Sequence, residues 1–301
     1  MELQKPFIKW VGGKNQLLDK IIPNIPKEME NYHEIFLGGG SVLLCLLSLQ
    51  RAGDIHIRGK IYAYDINKDL INVYVRIQKN EKKLYAFLEG YFKEYDKIKG
   101  NEIERKPKTI EEGRTSKESY YYWLRTRFNA EKNMNADERA ALFIFLNKTC
   151  FRGVYREGPN GFNVPYGHYK TTPGIMSKEE LSSISKLLEK VQFQACSFTD
   201  SMKQVGAGDF VYLDPPYAPE SKNSFVGYNK DGFDVTMHNA LFESVKKMHA
   251  DGAKFLMSNA KVELVENALK EFHFEELVAR RAINSKNPES TTLEVLIKNF
   301  K

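Results

Sequence analysis

The sequence has 301 residues, 42% apolar and 28% charged, which is enough for a sizeable buried core beneath a charged surface. Its 45 basic and 39 acidic side chains leave a mild positive balance, which permits an anionic partner without requiring one. No segment approaches the roughly 18 uninterrupted apolar residues of a membrane span, and the first residues lack the apolar run of a secretory signal, so we expect a cytoplasmic protein with no membrane partner. The three cysteines, Cys45, Cys150 and Cys196, are too scattered for a disulfide framework or a zinc site.

Short apolar runs and helical patterns alternate in the first part of the chain. Residues 33–37 and 61–64 are predicted as buried strands, and each is followed by a helical pattern, at 41–52 and 67–78. This alternation is typical of a parallel sheet with helices on its faces.

The middle of the chain, residues 77–190, has a different character. Its stretch 97–117 is polar and contains Gly and Pro, which indicates a mobile loop. A helix is predicted to open at Asn135 with a capping-box-like start and to continue through Leu146. The run 148–167 is rich in Gly, Asn and Pro and favours an exposed hairpin. We therefore expect a mostly helical insertion here.

The last part of the chain returns to alternating elements. Strands are predicted at 192–195, 210–213, 254–257 and 293–297, and helices at 237–250 and 262–270. Residues 1–76 and 191–301 therefore predict an α/β core with a doubly wound, mainly parallel sheet.

The sharpest motif comprises Asp214, Pro215, Pro216 and Tyr217, directly after the predicted strand 210–213. Ligands of open α/β sheets bind beyond the carboxyl ends of strands, where this motif falls. A carboxylate and a proline-restrained carbonyl could accept both hydrogens of an aromatic amine and aim its delocalised lone pair, while Tyr217 stacks on the ring. Taken alone, the motif could also be a strand ending in a Pro-Pro turn.

Two glycine-containing motifs accompany it. Residues 34–41 run from a strand through three glycines into a helix, which suits close approach of a ligand, although a plain tight turn would look the same. The pattern lacks the later glycine of the dinucleotide fingerprint. Asp65, at the end of the next strand, is placed to bind ribose hydroxyls. At the N-terminus, Trp10 offers an aromatic wall and Lys14 a partner for a carboxylate, without the spacing of a phosphate-binding loop.

In this order the motifs resemble those of the Dam-type DNA adenine-N6 methyltransferases, from Pro6 to about Phe300. The resemblance includes Ser197 and Phe198 before the Asp-Pro-Pro-Tyr strand, and residues 225–228 with 232–233 after it. It implies a Rossmann-like core that binds S-adenosylmethionine, with residues 77–190 as an inserted target-recognition domain. The implied reaction is methyl transfer to N6 of an adenine flipped out of duplex DNA at a short palindromic site.

The resemblance also implies roles for individual residues. Asp214, Pro215, Pro216 and Tyr217 would be catalytic and hold the adenine. Cofactor contacts would come from Trp10, Lys14, Glu34, Phe36, Gly38, Gly40, Ser41, Asp65, Ile66, Phe198 and Asp214.

DNA contacts are expected mainly from the predicted hairpin. Phe151 is our candidate wedge, with Val154 beside it. Arg156 suits a guanine edge and Asn163 an adenine edge. Phosphate contacts are expected from Arg125, Arg127, Lys132, Arg139 and Lys170, and the remaining predicted DNA-binding residues are Arg152 and Pro165.

Two positions depart from the family pattern. Ile35 stands where proline is common, and Arg152 stands where GATC-methylating members usually have asparagine. The run 148–167 looks more like the CATG-methylating enzymes of restriction systems. The sequence therefore predicts CATG ahead of GATC, and it suggests a cognate restriction endonuclease as a partner and a bacterial nucleoid or phage setting.

Rival functions are methylation of RNA adenine or of a protein amide, and a catalytically silent DNA-binding regulator. A protein-amide methylase would not need the large basic insertion. We expect no metal, because no cluster of His, Cys and carboxylate side chains has ligand spacing.

Overall fold

The computed structural model describes residues 3–131, 133–218, 233–280 and 291–301. Its strands are β1 (Glu28–Met29), β2 (Tyr32–Glu34), β3 (His56–Ile57), β4 (Ile61–Asp65), β5 (Glu157–Gly158), β6 (Gly161–Phe162), β7 (Val191–Ala195), β8 (Phe210–Leu213), β9 (Lys254–Ala260), β10 (His273–Arg280) and β11 (Thr291–Lys298). Its helices are α1 (Leu18–Ile21), α2 (Ser41–Ala52), α3 (Lys68–Lys97), α4 (Ile110–Gly113), α5 (Lys117–Ala130), α6 (Ala136–Thr149), α7 (Lys178–Leu187), α8 (Phe198–Met202), α9 (Val235–Ala250) and α10 (Glu263–Ala268), with 3₁₀ turns at Lys14–Leu17, Ile22–Asn24 and Phe151–Gly153.

Seven strands form the central sheet in the order β10-β11-β9-β8-β2-β4-β7. The five strands from β9 to β7 are parallel, and β11 and β10 are added antiparallel at one edge. The predicted α/β fold with a mainly parallel sheet is confirmed. The sequence analysis missed β10, and it made β2 too long, since the chain leaves the strand after Glu34 to form the glycine loop.

Alternate residues of the sheet enter two different hydrophobic cores, as expected when helices cover both faces. Phe210 and Tyr212 of β8 pack into the core that contains α2, α3, α5 and α6. Val211 and Leu213 pack into the core that contains α8 and α9. Because β2 is parallel to its neighbours β4 and β8, the carboxyl ends of these three strands meet at one edge of the sheet, between the two helical layers.

Helix α3 runs across the predicted boundary at residue 77. It was predicted to end near residue 78, yet it continues to Lys97 after a non-helical bend at Asn80, with φ −144° and ψ 40°. Asn80 Nδ2 donates to Asp137 Oδ1 of α6 at 3.2 Å, so the bend is tied to the helix that packs along α3. The division into a core and an insertion at 77–190 stays a prediction, since buried residues of α5 and α6 belong to the same core as one face of the sheet.

The segments that follow α3 carry the short elements of the predicted insertion. Residues 97–117 contain α4 and a bridge between Asn101 and Ser116. Helix α6 begins after Asn135, whose side chain accepts hydrogen bonds from the backbone amides of Asp137 and Glu138. Strands β5 and β6 form a two-residue antiparallel ladder within the run 148–167.

Candidate active site

A cavity of about 1180 Å³ opens where β2, β4 and β8 end. Its volume is slightly above the range of roughly 300–1000 Å³ that is usual for small-molecule pockets. It brings together side chains from the three motifs and from the predicted hairpin. Among its lining residues are Trp10, Lys14, Glu34, Phe36, Gly38, Gly40, Ser41, Asp65, Ile66, Arg152, Val154, Phe198, Asp214, Pro215, Pro216 and Tyr217. All of the predicted catalytic and cofactor residues thus lie at one site.

Asp214 follows β8 directly and pairs with Lys14 from the N-terminal motif. Lys14 Nζ lies 2.8 Å from Asp214 Oδ1 and donates to the carbonyl of Gly12 at 2.7 Å. The Lys14 side chain is buried, whereas that of Asp214 keeps 18% of its surface exposed toward the cavity. Lys14 therefore meets a carboxylate, as expected, but in this structure the carboxylate belongs to the Asp-Pro-Pro-Tyr motif.

The charge state of Asp214 is set by opposing effects. Burial is the largest influence and leaves the pKa of its carboxyl group above the ordinary value; the Lys14 ammonium lowers that pKa, and the negative charge of Glu294 raises it. An ammonium that donates a hydrogen bond favours the ionised carboxylate, the form that can accept hydrogens from an amine.

Tyr217 is held by two contacts that the motif does not reveal. Its hydroxyl donates to Glu294 Oε2 of β11 at 2.7 Å, and the Lys14 ammonium lies 4.9 Å from the centroid of its ring. Next to it, the amide of Ala218 donates to the buried Asn259 Oδ1 at 3.1 Å. Side chains of β11 and β9 thus orient the turn and its aromatic ring.

The glycine loop between β2 and α2 has the close backbone approaches that its sequence suggested. The Gly38 amide donates to Asp65 Oδ2 at 2.9 Å, and the Asn67 amide donates to Asp65 Oδ1 at 2.9 Å. A Cβ at Gly38 would lie 2.8 Å from Cδ1 of Trp10. Gly40 has φ +66°, and a Cβ there would lie 2.6 Å from the Tyr74 hydroxyl. Only glycine fits these two positions without displacement.

Glu34, at the end of β2, is almost fully buried on the cavity floor. Burial raises the pKa of its carboxyl group to about 8, against a hydrogen bond donated by Tyr32 that lowers it, while the charge of Asp214 adds to the increase. The Tyr32 hydroxyl lies 2.7 Å from Glu34 Oε2. Near neutral pH the Glu34 carboxyl group is therefore largely protonated, and it can donate as well as accept a hydrogen bond.

An aromatic wall closes one side of the cavity. The ring centroids of Phe36 and Phe198 are 5.9 Å apart, and Phe233 lies 6.0 Å from Phe36 and 5.4 Å from Phe198. Such a wall is suited to one face of a planar base.

The predicted DNA-contacting residues between positions 151 and 170 fall into three groups. Arg152 and Val154 line the cavity itself, and Phe151 beside them exposes 47% of its surface. Arg156 Nε donates to Asn163 Oδ1 at 2.7 Å, so these two candidates form one exposed unit. Pro165 and Lys170 are exposed in the following segment.

Three arginines predicted to contact phosphate are already engaged within the protein. Arg125 donates to the carbonyl of Val164 at 3.0 Å. Arg127 pairs with Glu131 at 2.8 Å and with Glu138 at 3.2 Å, and Arg139 pairs with Asp69 at 2.6 Å. A phosphate would have to share or displace these partners. Lys132, residues 225–228 and Gly232 lie outside the described residues.

The sequence analysis did not identify Glu294, Asn259 or Lys9 as residues of this region. Glu294 and Lys9 line the cavity, and Asn259 holds the turn after β8. Only Lys9 carries a local signal, because it directly precedes Trp10. Glu294 lies 77 positions from Tyr217 and looks like any polar residue facing outward from a strand.

Among the described residues, no group of three or more His, Cys, Asp or Glu side chains is arranged to hold a metal ion. No helix within the same ranges combines the length and apolar character needed to cross a bilayer.

The chain is similar to known proteins over nearly all of its length. Residues 10–283 match the family described as D12 class N6 adenine-specific DNA methyltransferases. The chain is 37% identical to Type II methyltransferase M.MjaIII of Methanocaldococcus jannaschii over 98% of its own length and 99% of that protein. It is 32% identical to Type II methyltransferase M1.LlaDCHI of Lactococcus lactis over 98% and 95%, and 29% identical to a DNA adenine methylase of Haemophilus influenzae over 95% and 89%.

The match to the family spans nearly all of the chain and includes the Asp-Pro-Pro-Tyr turn, the glycine loop and the N-terminal motif that meet at the cavity. The chain therefore belongs to the D12 class of N6 adenine-specific DNA methyltransferases.

Proposed function

We propose that this enzyme transfers a methyl group from S-adenosylmethionine to N6 of an adenine that has left the DNA helix. The observation that carries the proposal is the partly exposed carboxylate of Asp214 at the wall of a cavity of about 1180 Å³, beside the ring of Tyr217. The cavity has room for a nucleoside-sized donor and a base side by side.

The chemistry of the lining residues fits the donor. Its adenosine would lie against the wall that includes Phe36 and Phe198, with Asp65 and the largely protonated Glu34 as its polar partners. Lys14 and the amides at the start of α2 offer positive charge for the carboxylate of its methionine part. When bound, S-adenosylmethionine supplies a methyl group on a positively charged sulfur.

The turn after β8 can orient the N6 amine of the target adenine through two hydrogen bonds. Asp214 can accept one amine hydrogen while it stays paired with Lys14, because a carboxylate offers about four acceptor positions. The carbonyl of Pro215 can accept the second hydrogen. These two bonds localise the nitrogen lone pair and point it at the donor, and Asp214 acts by orientation, without removing a proton beforehand.

A base stacked inside a duplex cannot reach a carboxylate at the wall of this cavity, so the target must be flipped out. The cost of unstacking is a few kcal/mol, and an inserted apolar side chain offsets part of it. Phe151 is exposed beside the cavity mouth and is our candidate for that side chain. Tyr217, fixed by Glu294, would stack on the extruded adenine.

We further propose a short palindromic site, with CATG ahead of GATC. Arg152 supports this order because it stands where GATC-methylating members usually have asparagine, and it lines the cavity next to Phe151. Two relatives are named Type II methyltransferases, which supports a cognate restriction endonuclease as a functional partner.

The decisive experiment is to express the chain in a host that lacks DNA methylation and to map modified adenines across the genome. We expect N6-methyladenine at one short site, and none from Asp214→Ala. The purified protein is then offered duplex DNA, structured RNA and protein extract with S-adenosylmethionine. Methyl transfer to RNA or to protein alone, or donor binding without turnover on any duplex, would contradict the proposal.

A further inference from the structure

Asn147, in the last turn of α6, joins two distant parts of the chain through a buried side chain. It is 4% exposed, and its Oδ1 accepts a hydrogen bond from the Lys9 amide at 3.0 Å. Its Nδ2 donates to the Lys9 carbonyl at 2.8 Å and to the Gly153 carbonyl at 3.1 Å. One amide group therefore holds both backbone polar groups of Lys9 and the first turn of the predicted recognition hairpin.

Packing reinforces the same junction. The ring of Trp10, the residue after Lys9, stacks on Tyr155 at 5.6 Å and on Phe143 at 6.3 Å. Gly153 has φ +67°, and a Cβ there would lie 2.4 Å from Cβ of Lys9. Since the Gly153 backbone lies directly against the Lys9 side chain and Asn147 bonds to the backbone of both residues, one segment cannot move far without the other.

The other side of the Lys9–Trp10 segment faces the proposed donor site. Trp10 packs against the Gly38 loop, where an added Cβ would lie 2.8 Å from its ring, and the loop amide is held by Asp65. A continuous path of contacts thus leads from Asp65 through Trp10 and Lys9 to Asn147 and the hairpin.

We infer that Asn147 is a positioning residue that couples ligand binding in the donor pocket to DNA binding by the hairpin. The inference rests on the proposed function. A ligand that orders the Gly38 loop and Trp10 also orders the backbone to which Asn147 is hydrogen-bonded. The hairpin therefore loses less conformational entropy when DNA binds. The reverse holds equally, because coupling between two binding sites is reciprocal.

The chain offers a matched control in Asn129. Its Oδ1 accepts from the Phe162 amide at 2.9 Å, and its Nδ2 donates to the Phe162 carbonyl at 2.9 Å. Asn129 thus makes the same pair of hydrogen bonds to the backbone of one residue. These bonds connect α5 to the hairpin strand β6 and do not involve the Lys9–Trp10 segment. At either position, Asn→Asp keeps the size and the Oδ1 acceptor, replaces the donating Nδ2 by a carboxylate oxygen and adds one negative charge, so the two variants carry the same chemical change.

The test measures binding of S-adenosylhomocysteine by calorimetry, with and without a duplex that carries the mapped site. In the wild type we expect the duplex to tighten binding roughly fivefold or more. The ratio of the dissociation constants without and with duplex measures the coupling. In Asn147→Asp this ratio should fall below about twofold, because ligand binding then orders the hairpin less. In Asn129→Asp the duplex should bind more weakly, with the ratio kept as in the wild type.

Each result has a distinct meaning. If the wild type binds neither the product nor DNA, the proposed function fails. If it binds both and methylates, yet shows no coupling, or if Asn147→Asp keeps the full ratio, only the present inference is overturned. A ratio lost equally in Asn129→Asp would also overturn it, since any loosening of the hairpin would then suffice.

Hydrogen exchange in the wild type keeps the inference testable should Asn147→Asp not fold. S-adenosylhomocysteine without DNA should slow exchange at the Lys9 amide and in residues 150–156. Protection confined to residues 34–41 and 65–67 would contradict the inference.

Discussion

At the scale of single residues, the charge of Asp214 is the property on which the proposed chemistry depends. Burial raises the pKa of its carboxyl group, Lys14 lowers it and Glu294 raises it. These neighbours come from the N-terminal motif and from β11, which are remote in sequence. The Asp-Pro-Pro-Tyr turn therefore supplies the carboxylate, while its ionisation is decided by side chains from elsewhere.

Two substitutions should move the acidic limb of the activity profile in opposite directions. The proposed mechanism needs ionised Asp214, so activity falls as the pH drops through the pKa of that group. Lys14→Met removes an influence that lowers the pKa, and the limb should move to higher pH. Glu294→Gln removes a charge that raises the pKa, and the limb should move to lower pH.

The measurement is kcat/KM for duplex methylation as a function of pH, because this ratio reports ionisations of the free enzyme. Tyr217→Phe serves as a comparison, since it breaks the bond to Glu294 without changing any charge near Asp214. Shifts of the same sign in the two charge variants would refute the assignment of the limb to Asp214.

At the scale of elements, the hairpin with β5 and β6 combines a predicted recognition surface with a wall of the cavity. Arg156 and Asn163 are hydrogen-bonded to each other on its exposed side, while Val154 faces the cavity. A side chain that reads a base edge and a side chain that touches only phosphate have different consequences when removed.

Arg156→Ala should relax sequence choice. A bidentate contact to guanine contributes about 1–3 kcal/mol of discrimination, so the preference for the mapped site over single-base variants should fall roughly 5- to 150-fold at one position. Lys170→Ala should weaken binding to all duplexes alike and reduce the dependence of affinity on salt. Competition binding over a set of variant duplexes at several salt concentrations distinguishes the two patterns. Uniform weakening by Arg156→Ala would reassign that residue to phosphate.

At the scale of the whole molecule, the sheet places the cavity, with the buried carboxyl group of Glu34, between two hydrophobic cores, and the burial of this group costs stability. Glu34 lies on the cavity floor with a pKa of about 8, although its hydroxyl partner Tyr32 favours the ionised form. Functional sites commonly cost stability in this way, because groups placed for a ligand are not placed for the most stable fold.

Glu34→Gln should make the stability of the protein less sensitive to pH. Between the ordinary carboxyl pKa of about 4.3 and the folded value of about 8, the folded chain holds a proton at Glu34 that the unfolded chain has released. Stability from this group is therefore present at low pH and is lost as the pH rises, with a limiting slope of about 1.4 kcal/mol per pH unit.

Urea unfolding at several pH values between about 5 and 8.5 measures this effect as a difference between wild type and variant. Gln can still accept the hydrogen bond from Tyr32, so the comparison isolates the charge. A parallel pH dependence in both proteins would show that Glu34 does not carry the raised pKa.

Sequence by itself determined the features that local pattern controls. Runs of four residues predicted β4, β7 and β8, of which those of β4 and β8 are apolar throughout. The Asp-Pro-Pro-Tyr turn was placed at the end of a strand because an apolar strand directly precedes it. The antiparallel edge strand β10 was missed, since residues 273–280 mix charged and apolar side chains without a clear period. The bend at Asn80 was missed as well, because it depends on a bond to α6.

Tertiary structure alone decided which side chains meet. Glu294 reaches Tyr217 only because β11 enters the sheet beside β9, and Asn147 reaches Lys9 across 138 positions. The tertiary structure also decides which charges form ion pairs. Arg127 and Arg139 have no partner that the sequence reveals, and in the fold they are paired with carboxylates. A local pattern records the conformation of a segment, whereas hydrogen-bond partners and pKa shifts arise from contacts between segments, and these exist only once the chain has folded.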